Sequence, residues 1–205
     1  MAMMESTLDS FAAELASAAP TPGGGGAAAL AGALAAALGN MVGNLTVGKK
    51  KYADNEPRLK ELNKRAEELR VQLLEQIDAD AENFRPLSQA YGIPKDDPTR
   101  EETLERCLHA AAEPPMQILR LSAEAAAMAA EYAALGSKLV VSDAGCAAAM
   151  AEAAVRSAAL NVIINTRLMK DREFAEGMNR ELHELMDSAL KTTEETYKSV
   201  YGGLL

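Results

Sequence analysis

Residues 21–52 read TPGGGGAAALAGALAAALGNMVGNLTVGKKKY, and this stretch decides the fold. It belongs to an uncharged run from Leu15 to Gly48. The length would suit a membrane span, but Pro20 and Pro22 break it and most of its side chains are Ala or Gly. Such small groups offer little transfer energy at roughly 25 cal/mol per Å² of apolar surface. Asn40 and Asn44 are also out of place in lipid. The expectation is therefore a helix buried in a soluble helical assembly. Leu30, Leu34, Leu38, Met41 and Leu45 step by four or three and form an apolar stripe. Gly32, Ala36, Gly39 and Gly43 form a second stripe, whose small size lets a neighbouring helix approach toward the short end of the usual ~8–10 Å spacing. Two occupied faces suit a central helix or one at a subunit interface.

The rest of the chain agrees. Of 205 residues 41 are alanine, the strongest helix former, and only 4% are aromatic. A single all-α domain spanning residues 1–205, a helical bundle around the Ala/Gly-rich central helix, is expected. With 21 Lys and Arg against 30 Asp and Glu, the net charge of −9 argues against nucleic acid and anionic membranes as partners. Cys107 and Cys146 have no metal-ligand spacing, and His109 and His183 are isolated, so no metal site is legible. The acidic start and unpaired thiols lead us to expect a cytoplasmic location.

Patterning predicts a short helix over Met4–Ala18 with Leu8, Phe11 and Leu15 inward, then a long one from an Asn55 cap to about Tyr91. A Thr99–Glu102 capping box opens the next, with Pro114 and Pro115 interrupting or kinking it before Gly136. Ser142 or Asp143 caps a helix to about Lys170, and Asp171 to Tyr201 forms the last.

Several residues break these patterns. Along the Asn55–Tyr91 helix the apolar positions Leu59, Leu62, Ala66, Leu69, Leu73, Ile77, Phe84 and Leu87 leave one gap, filled by Asp80. A carboxylate on a core stripe must be paired, hydrogen-bonded or neutralised. It is either a salt-bridge partner for Arg156 or Arg167, or an acid–base group. Asp78 points away and is expected to be solvated. The glycines Gly23 to Gly26 lead straight into a helix. They form either a flexible connection or an anion-accepting turn. Asn40 with Asn44, and Asn161 with Asn165, present amides at helical i, i+4 spacing, suited to inter-helix bonding or to a heterocycle. Lys49, Lys50, Lys51 and Tyr52 close the uncharged run. They complement a helix dipole and could also dock an anionic tail. Ser142 and Asp143 are a cap pair or a second helix start facing a ligand.

Taken together, residues 21–52, DADAENF at 78–84, AYGIPKD at 90–96 and SDAGCAAAMAEAAVRSAALNVIIN at 142–165 resemble the formimidoyltetrahydrofolate cyclodeaminase and methenyltetrahydrofolate cyclohydrolase family, in order and spacing. Gly26 departs from the Ser common there, and Gly136-Ser137 from Gly-Asn. The resemblance implies an all-helical homodimer acting on a one-carbon tetrahydrofolate without a metal or redox cofactor. A separate formiminotransferase is a candidate partner. It places Asp80 as the acid–base group with Asp143 second, and Gly23, Gly24, Gly25, Asn40, Asn44, Lys49, Tyr52, Ser142, Asn161 and Asn165 around the substrate. Of the two activities, the resemblance leads us to expect cyclodeaminase, with cyclohydrolase the alternative and a non-catalytic folate-binding dimer a further one.

Overall fold

The computed structural model describes residues 2–205. Six α-helices account for most of them: α1 (Leu8–Leu15), α2 (Gly24–Asn44), α3 (Glu56–Ala90), α4 (Arg100–Leu135), α5 (Val141–Thr166) and α6 (Arg172–Leu204). No strand occurs among the described residues. Helix α2 packs on α3, α4 and α5, while α4 and α5 also carry α6. The expected all-α architecture with a buried Ala/Gly-rich helix is the one observed.

The two stripes of α2 face opposite ways. Gly32, Ala36, Gly39 and Gly43 are buried, whereas Leu34, Met41 and Leu45 are 45%, 39% and 46% exposed. The glycines do not admit a neighbouring backbone, as expected, but large side chains. A methyl on Gly39 would stand 2.7 Å from the ring of Tyr132, and one on Gly32 2.8 Å from the hydroxyl of Ser122. Tyr132 is fully buried over α2, so the missing side chains of α2 are replaced by bulk from α3 and α4.

Helix α3 buries the expected Leu59, Leu62, Ala66, Leu69, Leu73 and Ile77. It runs antiparallel to α4 in a register marked by two ion pairs, Arg58–Glu131 and Arg65–Glu124, at 2.8 and 2.6 Å. The partners are spaced by seven residues on each helix. Such half-exposed pairs fix register more than they add stability, at about 0–1 kcal/mol each.

Several local expectations fail for identifiable reasons. Helix α1 is shorter than Met4–Ala18 and buries only Phe11; Thr7 caps it by accepting from the Ser10 N–H, and Leu8 stays 72% exposed. Asp78 is not simply solvated, because its carboxylate accepts the Met3 and Met4 N–H groups at 2.6 and 3.3 Å. Asn55 does not cap α3 but donates to the Leu135 carbonyl. Thr99 forms no capping box, since its hydroxyl and N–H both bond Asp97. Helix α5 starts at Val141, one turn of 3₁₀ helix precedes it, and neither Ser142 nor Asp143 caps it. It ends at Thr166 rather than Lys170. Asp171 does cap α6, accepting the Phe174 N–H at 3.0 Å.

Helix α4 runs through Pro114 and Pro115 without a break. Proline at 115 has no N–H to give the Ala111 carbonyl four residues back. The side chain of Asn165 supplies it instead, donating to Ala111 at 3.2 Å from α5. The carbonyl freed by Pro114 belongs to exposed Ala110, where water can reach it.

Candidate active site

Asp80 occupies the core stripe of α3, against the first turn of α2. No side chain caps that turn, because Gly23 is its N-cap. Four backbone N–H groups at a helix start lack partners within the helix and carry partial positive charge. The Gly26 N–H donates to the Asp80 carboxylate. A methyl on Gly25 would stand within 2.6 Å of both carboxylate oxygens, so only glycine lets the carboxylate lie flat on the helix start. Burial raises the Asp80 pKa to about 6, with the Gly26 N–H pulling weakly the other way. No cation pairs with it among the described residues, and Arg156 is occupied by Glu152 at 2.9 Å. The salt-bridge alternative is thereby excluded for Arg156, and exposed Arg167 makes no such contact either. A carboxyl poised near neutrality can both give and take a proton under ordinary conditions.

Asn161 joins this end of the molecule. Its amide lies beside Gly24, where a methyl would meet Nδ2 at 2.9 Å, and the same Nδ2 donates to the Ser157 carbonyl. Its Oδ1 is left facing the glycine turn. Asn165 lies one turn further on and is buried, its amide nitrogen shared between the Ala111 and Asn161 carbonyls. It therefore serves α4 by filling the bond that Pro115 leaves open.

The remaining sequence-derived candidates are elsewhere. From Gly25 to Asn44 along α2 is ~28 Å at 1.5 Å per residue. Asn40 donates to the Asn63 carbonyl at 2.7 Å, Asn44 donates to the Asn40 side chain, and the Asn63 amide contacts both Asn44 and the Tyr132 hydroxyl. This ladder ties α2 to α3 and α4, the inter-helix alternative for the asparagine pair. Lys49 donates to the Ser137 hydroxyl at 3.2 Å, and the Tyr52 hydroxyl accepts the Lys138 N–H at 3.0 Å. That N–H holds the Tyr52 pKa below its usual value. Buried Thr46 completes the tie by accepting the Ser137 N–H at 2.8 Å. Ser142 and Asp143 sit at the start of α5, adjacent to this same end. The structure thus gathers Gly23, Gly24, Gly25, Asp80, Asn161 and Asn165 at one end of α2. It leaves Asn40, Asn44, Lys49, Tyr52, Ser142 and Asp143 toward the other. In one chain they do not form a single site.

Sequence reasoning missed Asn63, Tyr132 and Ser137. Asn63 carried a faint signal as an amide beside Leu62 in a run otherwise charged or apolar. Three surface clefts accompany these features. One of about 480 Å³ lies beside the lysine end, lined by Lys138, Val141 and Glu195. Two others, about 540 and 740 Å³, adjoin each other at the α3–α4 loop, sharing Glu101, Glu105 and Lys170. Asp80 lines none of the three.

An all-helical domain with one buried, cation-free carboxyl against a glycine-opened helix start offers a group able to exchange a proton near neutrality. Residues 7–184 match the formiminotransferase-cyclodeaminase family, and the chain belongs to it. It is 42% identical to a methenyltetrahydrofolate cyclohydrolase from Methylorubrum extorquens, covering 95% of each chain. A mouse formimidoyltransferase-cyclodeaminase is 29% identical over 91% of this chain, which spans 35% of that longer protein. The crystal structure of formiminotetrahydrofolate cyclodeaminase from Thermotoga maritima superposes with a TM-score of 0.89, at 30% identity and 98% coverage of both chains.

Proposed function

We propose that this folate one-carbon enzyme acts as a 5,10-methenyltetrahydrofolate cyclohydrolase, with Asp80 as general base. The carrying observation is the full-length similarity, at 42% identity, to a protein of that name, which shifts the balance away from the cyclodeaminase expected from the sequence. In this reading the Asp80 carboxylate takes a proton from water as its oxygen bonds to the methenyl carbon. The proton then passes to N5 as the N5–carbon bond breaks with its electron pair left on N5. The hydroxyl oxygen gives up its own proton to solvent and becomes the formyl carbonyl of 10-formyltetrahydrofolate. Before attack, the ionised carboxylate also balances the cationic substrate. In this reading Asn161 and the glycine turn hold the reacting ring.

The cyclodeaminase reading keeps the likeness to the Thermotoga maritima structure and to the mouse formimidoyltransferase-cyclodeaminase in its support. There Asp80 would work as an acid, protonating the amino nitrogen of the tetrahedral intermediate so that the carbon–nitrogen bond breaks and ammonia leaves. Incubation with each folate, following methenyl absorbance and ammonia, tests the choice. Loss of absorbance from the methenyl compound, with no ammonia from the formimidoyl compound, is expected. Ammonia release with growth of methenyl absorbance, and no hydrolysis, would overturn it.

A further inference from the structure

We propose that Phe11 and Asp78 are positioning residues for the reaction: they hold the N-terminal segment against α3 so that it braces the glycine turn on Asp80. This rests on the reading of Asp80 given above and adds two residues that act through the turn. The turn needs a brace. Gly23 to Gly26 bring no side chains of their own, and glycine loses more backbone freedom on ordering than any other residue. Asp80 and Asn161 restrain one side, at Gly25 and Gly24. At Gly26, whose N–H donates to Asp80, a methyl would meet Pro22 at 3.4 Å, Ile77 at 3.7 Å and the Phe11 ring at 3.9 Å. These are contact distances, so the three groups close around Gly26 without crowding it. Ile77 belongs to α3 and Pro22 to the turn itself; Phe11 is brought from elsewhere.

The segment that brings it has few footholds. Of residues 2–20 only Met3, Ser6 and Phe11 are not exposed, and Phe11 is the one buried residue of α1. A helix of eight residues is marginal by itself, so the seat of Phe11 depends on tethers to either side. On the C-terminal side Thr21 and Pro22 are buried. On the N-terminal side Asp78 accepts the Met3 N–H on one carboxylate oxygen and the Met4 N–H on the other. Helix α3 thus carries two carboxylates, two residues apart and on different sides of the helix. Asp80 meets the start of α2, and Asp78 clasps the segment that braces it. Met3 and Met4 precede residues 7–184, which match the family, so family membership does not by itself predict the clasp. If the brace is lost, the turn gains freedom, water reaches the carboxyl, and the reacting groups lose their register. A displacement of about 1 Å can cost on the order of 10²-fold in rate.

Two readouts on four variants of the full chain test this: kcat, and the titration midpoint of Asp80 by carbon-13 NMR. Phe11→Ala is expected to lower kcat about tenfold. It should also lower the midpoint by about half a pH unit, because the carboxyl gains water. Phe11→Leu refills the space and is expected to recover kcat to within about threefold of wild type. No charged group of α2, α4, α5 or the N-terminal segment acts on Asp80, and on α3 the nearest in sequence are Asp78 and Glu82. Phe11 carries no charge, so its midpoint reads the turn. Asp78→Ala is expected to move both readouts in the same direction by less, with kcat down about threefold. Asp78→Asn removes the same charge but keeps an acceptor for the Met3 N–H, so it should stand nearer wild type in both. Three results overturn the proposal: Phe11→Ala with wild-type kcat and midpoint, a lowered kcat with an unmoved midpoint, or Asp78→Ala indistinguishable from Asp78→Asn. If Phe11→Ala does not fold, the Asp78 pair decides. If the wild-type chain turns over neither folate, the Asp80 reading fails instead, while the carbon-13 midpoints still report whether the segment braces the turn.

Discussion

The two ends of α2 are built from similar parts and do different things. At both ends a glycine on α2 makes room for a polar side chain of α3, Gly25 for Asp80 and Gly43 for Asn63. At the Gly43 end the polar groups satisfy one another: Asn40, Asn44, Asn63 and Tyr132 form a closed ladder. At the Gly25 end a carboxylate meets one backbone N–H and no cation. The first arrangement holds helices together. The second keeps a titratable group in an environment that costs the fold stability, and reactivity is the usual reason a protein tolerates such a group.

Substitutions separate the two ends most sharply through activity. Asp80→Asn keeps the shape and removes the base, so kcat is expected to fall by roughly 10²- to 10⁴-fold. A drop of less than tenfold would move the chemistry elsewhere.

The same variant should differ in the opposite direction in stability. The folded pKa of Asp80 lies above its ordinary 3.8, at about 6, so the folded state holds its proton longer than the unfolded chain. Wild-type stability therefore falls as pH rises from about 4 through 6, and the penalty, about 3 kcal/mol, is complete above that. Denaturant titrations should show Asp80→Asn gaining up to this amount over wild type at about pH 8 and losing the advantage near pH 4. A constant difference across that range would contradict the raised pKa.

Glycine replacements sharpen the comparison further. Gly25→Ala and Gly43→Ala both force a methyl into an occupied space, and each is expected to cost about 1–3 kcal/mol in unfolding free energy. Only Gly25→Ala should also shift the pH dependence of the reaction, because only it displaces Asp80, the proposed base. A similar shift with Gly43→Ala would mean the ends are coupled within one chain.

The smallest expected effect concerns Asn165. Replacement by Leu strands the Ala111 carbonyl, at about 1–3 kcal/mol, and leaves the pH midpoint of activity unmoved. A moved midpoint would make Asn165 part of the chemistry rather than of the α4–α5 tie.

The helical fold was legible in the sequence because periodicity records burial. Leu59 through Ile77 on α3 follow it, and Asp80 stood out as the one residue that breaks it. What periodicity does not record is which of two apolar stripes faces inward. Leu34 and Met41 are larger than Gly32 and Gly39, yet it is the glycines that are buried, because Tyr132 and Leu73 fill the space from the other side. That long-range complementarity leaves no local trace in residues 24–44. For Asn165 the inter-helix alternative is the one observed, and its partner was illegible for a similar reason. Its partner is a carbonyl freed by Pro115, fifty residues earlier in the chain. Motif order along the sequence likewise gathered Asn44, Lys49 and Asp80 into one list, while an extended α2 keeps them apart.

The most direct measurement is the titration of the Asp80 carboxyl itself by carbon-13 NMR, assigned by its disappearance in Asp80→Asn. A midpoint near 6 is expected. A midpoint at the ordinary aspartate value of about 3.9 would contradict the account, because the group would then be a solvated anion with no unusual basicity.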